Sequence, residues 1–289
     1  GGCYNYAIGY EALQSNTTGN CNIGFGFCTL RSNTTGCDNT ALGAYALRSN
    51  TTGRCNIAIG RDSLTNNTTG NWNIALNINS LKDNTTGSSN IAQGYYAMCS
   101  NTTGNYNTAF GHQALFANET GTGNFAAGFY ALYANTGNYN TAIGFQALNA
   151  NTSGYQNHGL GYEALKCNTT GFYNVGIGAY TIKNNTTGSC NIAIGQTALC
   201  SNTTANNNVA LGNAVLCSNT TGNCNIGIGS LALCANTTGQ RNFAAGGSAM
   251  EKNTTGSNNT AIGYVALCAN TTGSNNTAIG SQALRCNTT

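Results

Sequence analysis

The chain repeats itself every 17 residues from one end to the other, and no other feature constrains its fold as tightly. The repeat reads Asn-Thr-Thr-Gly-x-x-Asn-(Thr/Ile)-Ala-Ile-Gly-x-x-Ala-Leu-x-x. With columns numbered from its first Asn, column one falls at Asn16, Asn33, Asn50, Asn67, Asn84, Asn101, Asn118, Asn135, Asn151, Asn168, Asn185, Asn202, Asn219, Asn236, Asn253, Asn270 and Asn287. One step is irregular: Asn135 to Asn151 spans 16 residues, because a Thr is missing before Gly137. A period this short and strict implies a solenoid or fibre, each repeat one unit stacked on the last. A chain without a unique segment has almost nowhere to place a unique catalytic constellation, so neither an enzyme nor a cofactor site is expected.

Composition narrows the class further. Proline is absent, which excludes collagen-like and polyproline chains. Charged residues are 6% of the chain, against roughly 25% in ordinary soluble domains. A net charge of +3 gives no reason to expect a nucleic-acid partner. No apolar run approaches the roughly 18 residues of a membrane span. The chain starts and stops in mid-repeat, at Gly1 and Thr289, so residues 1–289 are expected to be one continuous array cut from a longer fibre.

The columns suggest a coil. Column seven is always Asn, as at Asn22 and Asn39. Column eleven is Gly except at Asn77, and Asn is the non-Gly residue that best tolerates positive φ, so this column is expected to be a left-handed turn. Column four is Gly except at Ala205 and is expected to mark a second turn. Columns eight and ten alternate around a small column nine, as in Ile57-Ala58-Ile59, which has the period of a strand. Phe125 with Ala127, and Phe243 with Ala245, keep the summed volume of columns eight and ten roughly constant. That suggests both columns point into a close-packed core, opposite Leu, Met or Ile at column fifteen, with Gln93 a polar intruder. The expected fold is all-β: a parallel β-solenoid, or β-roll, with one coil per repeat and two short strands per coil. Stacked side-chain amides at the Asn columns would form buried ladders. An α-solenoid is excluded by the Gly and Asn in each repeat. One coil buries too little to stand alone, so self-association is expected as well.

Segments such as Asn56-Ile57-Ala58-Ile59-Gly60 and Asn276-Thr277-Ala278-Ile279-Gly280 resemble the head repeat of YadA-like trimeric autotransporter adhesins. The whole repeat is also similar to those of phage-type tail fibres and large surface proteins. The period here is longer than the adhesin family's, with the extra residues near the Asn-Thr-Thr-Gly turn. The resemblance implies a left-handed parallel β-roll, packing of chains into an oligomer, and a surface adhesin or fibre shaft.

Thirteen of the fourteen cysteines lie at columns five, six, sixteen and seventeen, flanking the Asn-Thr-Thr-Gly turn, and Cys28 stands apart. Coils about 4.8 Å apart bring same-column cysteines within disulfide range. Candidate partners are Cys3 with Cys21, Cys37 with Cys55, and two of Cys200, Cys217 and Cys234, with Cys217 to Cys224 as another route. Disulfides outweigh free thiols, and both outweigh a metal site, because no CxxC pair exists and His112 and His158 are the only histidines. Disulfides imply an extracellular setting, at a cell or virion surface.

Asn-x-Ser/Thr recurs at every column-one Asn except Asn135, making the other sixteen candidate glycan acceptors. Asn66, Asn184, Asn258 and Asn275 match as well. The competing reading is a duplicated turn, since Asn-Thr-Thr-Gly is good turn chemistry. Column twelve carries an aromatic stripe that either stacks on glycans, buries against a neighbouring chain or covers the turn, and basic residues at column sixteen read as a solvated row. Ice binding is a minor alternative, weakened because Thr17-Thr18 and its copies sit in a turn. The reading that results is an extracellular structural fibre that self-associates and carries glycans, with an adhesin head or tail-fibre binding module as the alternative.

Overall fold

The computed structural model describes residues 1–289. It contains no helix, and so none long and apolar enough to cross a membrane. Each repeat makes one coil with a single three-residue strand at columns eight to ten. The coils divide into two compact units. The unit Gly1–Asn140 carries eight strands, from β1 (Tyr6–Ile8) to β8 (Phe125–Ala127). The unit Thr141–Thr289 carries nine, from β9 (Thr141–Ile143) to β17 (Thr277–Ile279). Within each unit, successive strands pair in parallel and in register: Ile57 faces Ile74, and Ile192 faces Val209. This is a parallel β-solenoid.

The strand phase is opposite to the one the alternation suggests. Column nine points inward and columns eight and ten point out: Ala58 is fully buried, while Ile57 and Ile59 are 37% and 41% exposed. The core consists of the column-nine Ala or Gly, the column-fourteen residue, the column-fifteen Leu and the two Asn columns, nearly all at 0% exposure. Alternation defines a period but not a phase, and the coil is too thin to hold Ile from the strand wall opposite Leu. Volume compensation is real, but it joins columns nine and fourteen. Gly24 faces Thr29 and Gly176 faces Thr181, where an added methyl would stand 3.0 and 3.1 Å from the hydroxyl. Gly227 faces Val215 of the preceding coil in the same way. Phe125 and Phe243 are half-buried, outward residues of the other strand face.

The expected second strand is a run of turns. Columns thirteen and fifteen have positive φ, as at Cys28 (54°), Leu30 (48°) and Leu47 (50°), so the wall cannot extend. It still bonds between coils: Leu30 N–H donates to the Ala46 carbonyl, Ser32 N–H to Arg48, and Cys28 N–H to Tyr10 of the preceding coil. A left-handed Leu costs about 1–2 kcal/mol, and complete burial of the side chain offsets it with about 1.5–3 kcal/mol. Column eleven is the left-handed turn anticipated, with Gly60 at φ 131° and Asn77 at φ 100°. Column four is Gly for a different reason. Its φ is ordinary, but a Cβ would crowd the next coil's column-four carbonyl and the column-one amide.

Two amide ladders seal the turn. At column one, Asn33 Nδ2 donates to Asn16 Oδ1 (2.9 Å) and to the Gly36 carbonyl (3.0 Å). At column seven, Asn39 Nδ2 donates to Asn22 Oδ1 (3.0 Å) and to the Gly53 carbonyl of the next coil (2.9 Å). That Gly53 carbonyl also accepts from Asn50 Nδ2 (3.0 Å), so the two ladders share one acceptor per coil. Beside them, the Thr51 carbonyl accepts the N–H groups of Thr34, Thr35 and Gly36 together with the Thr34 hydroxyl. The missing Thr is absorbed here: Asn135 Nδ2 still reaches the Gly137 carbonyl at 2.9 Å and Asn118 Oδ1 at 3.1 Å.

Candidate functional site

With Ile, Val, Leu, Phe and Thr turned outward, columns eight and ten make an in-register strand face on each unit. In the second unit Ile143, Ile177, Ile194 and Ile228 are each exposed by about two fifths. In the first, Phe25, Ile59 and Phe110 are exposed to the same degree. Neither column holds a single Asp, Glu, Lys or Arg anywhere in the chain. Soluble sheets normally place charge on such surfaces. Alternation alone does not reveal this face, because Ile-Ala-Ile has the same period with either side buried.

Aromatic residues gather along columns twelve, thirteen and sixteen. Tyr95, His112 and Phe129 stack with centroids 5.4 and 5.0 Å apart, and Phe116 stacks on Tyr133 at 5.2 Å. In the second unit Phe145 stacks on Tyr162 at 5.1 Å. The stripe therefore packs on itself, coil upon coil. Next to it an open cavity of about 430 Å³ is lined by Arg61, Asp62, Asn79, Lys82, Tyr95 and Tyr96, among others. His158 lies on the exposed strand face, far in kind from the stacked His112.

The basic row is partly engaged rather than free. Arg31 pairs with Glu11 at 2.8 Å. Lys166 and Lys183 both reach Glu163 at 2.8 Å, and these two ammonium groups hold its carboxyl below the usual range. Lys183 also lies 5.0 Å over the Tyr180 ring.

All fourteen cysteines are thiols in the structure. Cys217 and Cys234, in adjacent coils, approach closely, with sulfurs 3.0 Å apart. The Cys200 sulfur lies 3.3 Å from the Cys217 carbonyl in the same column. Cys217 thus turns toward Cys234 within column sixteen, and no contact joins it to the exposed Cys224. Cys21 and Cys3, and likewise Cys55 and Cys37, are joined by backbone hydrogen bonds of 3.0 Å. The sulfur of Cys37 instead accepts from the Asn20 N–H at 3.3 Å. Burial pushes the Cys99 thiol up to about 11, with Asp83 adding to it.

The column-one sequons meet a physical obstacle. Asn33, Asn50, Asn67, Asn84, Asn101, Asn118, Asn151, Asn168, Asn185, Asn202, Asn219, Asn236, Asn253 and Asn270 are all at 0% exposure. A glycan on Nδ2 would remove a ladder hydrogen and has no room inside the coil. Asn16 and Asn287 are half-buried and make the same kind of bond. The off-column matches Asn66, Asn184, Asn258 and Asn275 are exposed, and an N-glycan fits the folded chain there. No family model matches the chain, and no curated protein matches it.

Proposed function

We propose that the protein is an extracellular structural fibre protein whose coils form a shaft and whose outward strand face binds a second copy. The observation that supports this reading is the charge-free strand face of each unit, apolar throughout column ten except at Gln93. Each strand adds about 10 Å of width and 4.8 Å of length, or roughly 50 Å² per coil. Nine strands give the second unit a strand face of roughly 400 Å², apolar throughout column ten and mixed with Thr and His158 at column eight, comparable in size to the largest patches on soluble monomers, which are often functional. The contact grows with every coil added, which suits a shaft that lengthens by duplication. An adhesin head would use the aromatic stripe and its cavity, but the stripe is interrupted and the cavity is confined to residues 61–96, whereas every coil of each unit contributes to that unit's strand face. Ice binding would also use a flat face. It needs ranked Thr, and column ten has none while column eight has five, dispersed among Ile, Val and Phe.

The test is sedimentation velocity at micromolar concentration. The chain is expected to sediment as an oligomer, and the double variant Ile226→Lys/Ile228→Lys as a smaller species with an unchanged melting profile. A monomeric parent, or a variant that associates just as well, would contradict the reading.

A further inference from the structure

Cys200, Cys217 and Cys234 occupy column sixteen in three consecutive coils of the second unit. The coils are in register here: Ser201 N–H donates to the Cys217 carbonyl (3.1 Å) and Ser218 N–H to the Cys234 carbonyl (3.0 Å). A stacking repeat of about 4.8 Å lies inside the Cα separation a disulfide needs, while two coils, at roughly 9.6 Å, lie outside it. The sulfurs of Cys217 and Cys234 are 3.0 Å apart, so bonding requires a movement of only about 1 Å. Cys200 is one coil away on the other side of Cys217, its sulfur 3.8 Å from the Ser201 hydroxyl. All three residues are half-buried, so a small oxidant can reach them.

We propose that these cysteines form a redox rung in which a single disulfide, always through Cys217, staples two neighbouring coils and leaves the third sulfur as a thiol. The oxidant is a small disulfide of the glutathione class. The Cys217 thiolate attacks it, breaking its S–S bond, forming a mixed disulfide and releasing one thiolate. The Cys234 thiolate then attacks the Cys217 sulfur and expels the second thiolate. Two protein thiols are oxidised, one small disulfide is reduced to two thiols, and the two protons pass to the leaving groups. Attack of Cys200 on Cys217 then moves the bond by one coil and frees Cys234, with no net oxidation. Burial raises the Cys200 and Cys234 thiols, Cys234 to about 12 with help from Cys217 and Glu251, so the outer sulfurs stay protonated until the exchange draws them in. The bond closes a 17-residue loop, and constraining the unfolded chain in this way makes the coils harder to peel apart.

The experiment oxidises the whole chain in a glutathione redox buffer, blocks residual thiols and maps linked peptides by mass spectrometry. Linkages 217–234 and 200–217 are expected, and 200–234 is not. Cys217→Ser should abolish both, Cys200→Ser should retain the first, and Cys234→Ser the second. Circular dichroism on each variant separates loss of the bond from loss of the fold. The melting temperature of the parent should rise by several degrees on oxidation, and that rise should vanish in Cys217→Ser. A Cys200–Cys234 linkage, or three free thiols after oxidation of a folded chain, would overturn the proposal.

Discussion

A methyl group added at Gly227 would collide with Cγ1 of Val215, one coil away. Single side chains decide the interior of this fold, because each coil offers one small position on the strand wall and one on the turn wall. Gly227→Ala is therefore expected to destabilise the protein by about 1–3 kcal/mol through overpacking. Val215→Ala in the same chain should restore most of that loss, and a double-mutant cycle from chemical denaturation measures the coupling. Equal effects of Gly227→Ala in both backgrounds would contradict the packing. At this scale the sequence was partly legible. Asn77 in a Gly column identified a positive-φ turn without a structure. The facing of the strand was not legible, since Ile-Ala-Ile alternates equally well with either side buried. The deciding quantity, the width of the coil interior, is a property of the closed turn.

At the scale of the coil, the two Asn columns hold the turn. Asn236 donates to Asn219 Oδ1 (2.8 Å) and to the Gly239 carbonyl (3.0 Å), and accepts from Asn253 Nδ2 (2.8 Å). Gly239 keeps a second partner in Asn225, at 2.8 Å. Asn236→Ala therefore orphans two buried groups, Asn219 Oδ1 and one Asn253 N–H. At about 1–3 kcal/mol for each, the loss should be on the order of 2–6 kcal/mol. Thr238→Ala, in the same turn but exposed, should stay within about 0.5 kcal/mol. Denaturation midpoints compare the two, and similar values would count against the ladder. The amide ladders were foreseeable from invariant Asn in a short repeat. The second strand was a mistaken expectation, because apolar residues at column fifteen signal burial and say nothing about the sign of φ. The sequons were legible as text, but their availability depends on which way the amide faces.

At the scale of the molecule, the 17-residue period was sufficient to establish a parallel β-solenoid, since Gly and Asn in every repeat leave no other stacked fold. The outward strand face is concealed in the sequence, because alternation leaves the strand phase open, and it follows directly once that phase is known. Both the core and the outward face therefore depend on Ala facing in and Ile facing out. Its most direct test uses adjacent residues of β12 (Ile192–Ile194), where Ala193 is fully buried and Ile194 is 43% exposed. Thermal unfolding of Ile194→Lys should remain cooperative and lie within a few degrees of the parent, while Ala193→Lys should show loss of the coil fold around it and a much lower midpoint. A tolerated Ala193→Lys beside a disrupted Ile194→Lys would show the strand facing the other way and would contradict the account.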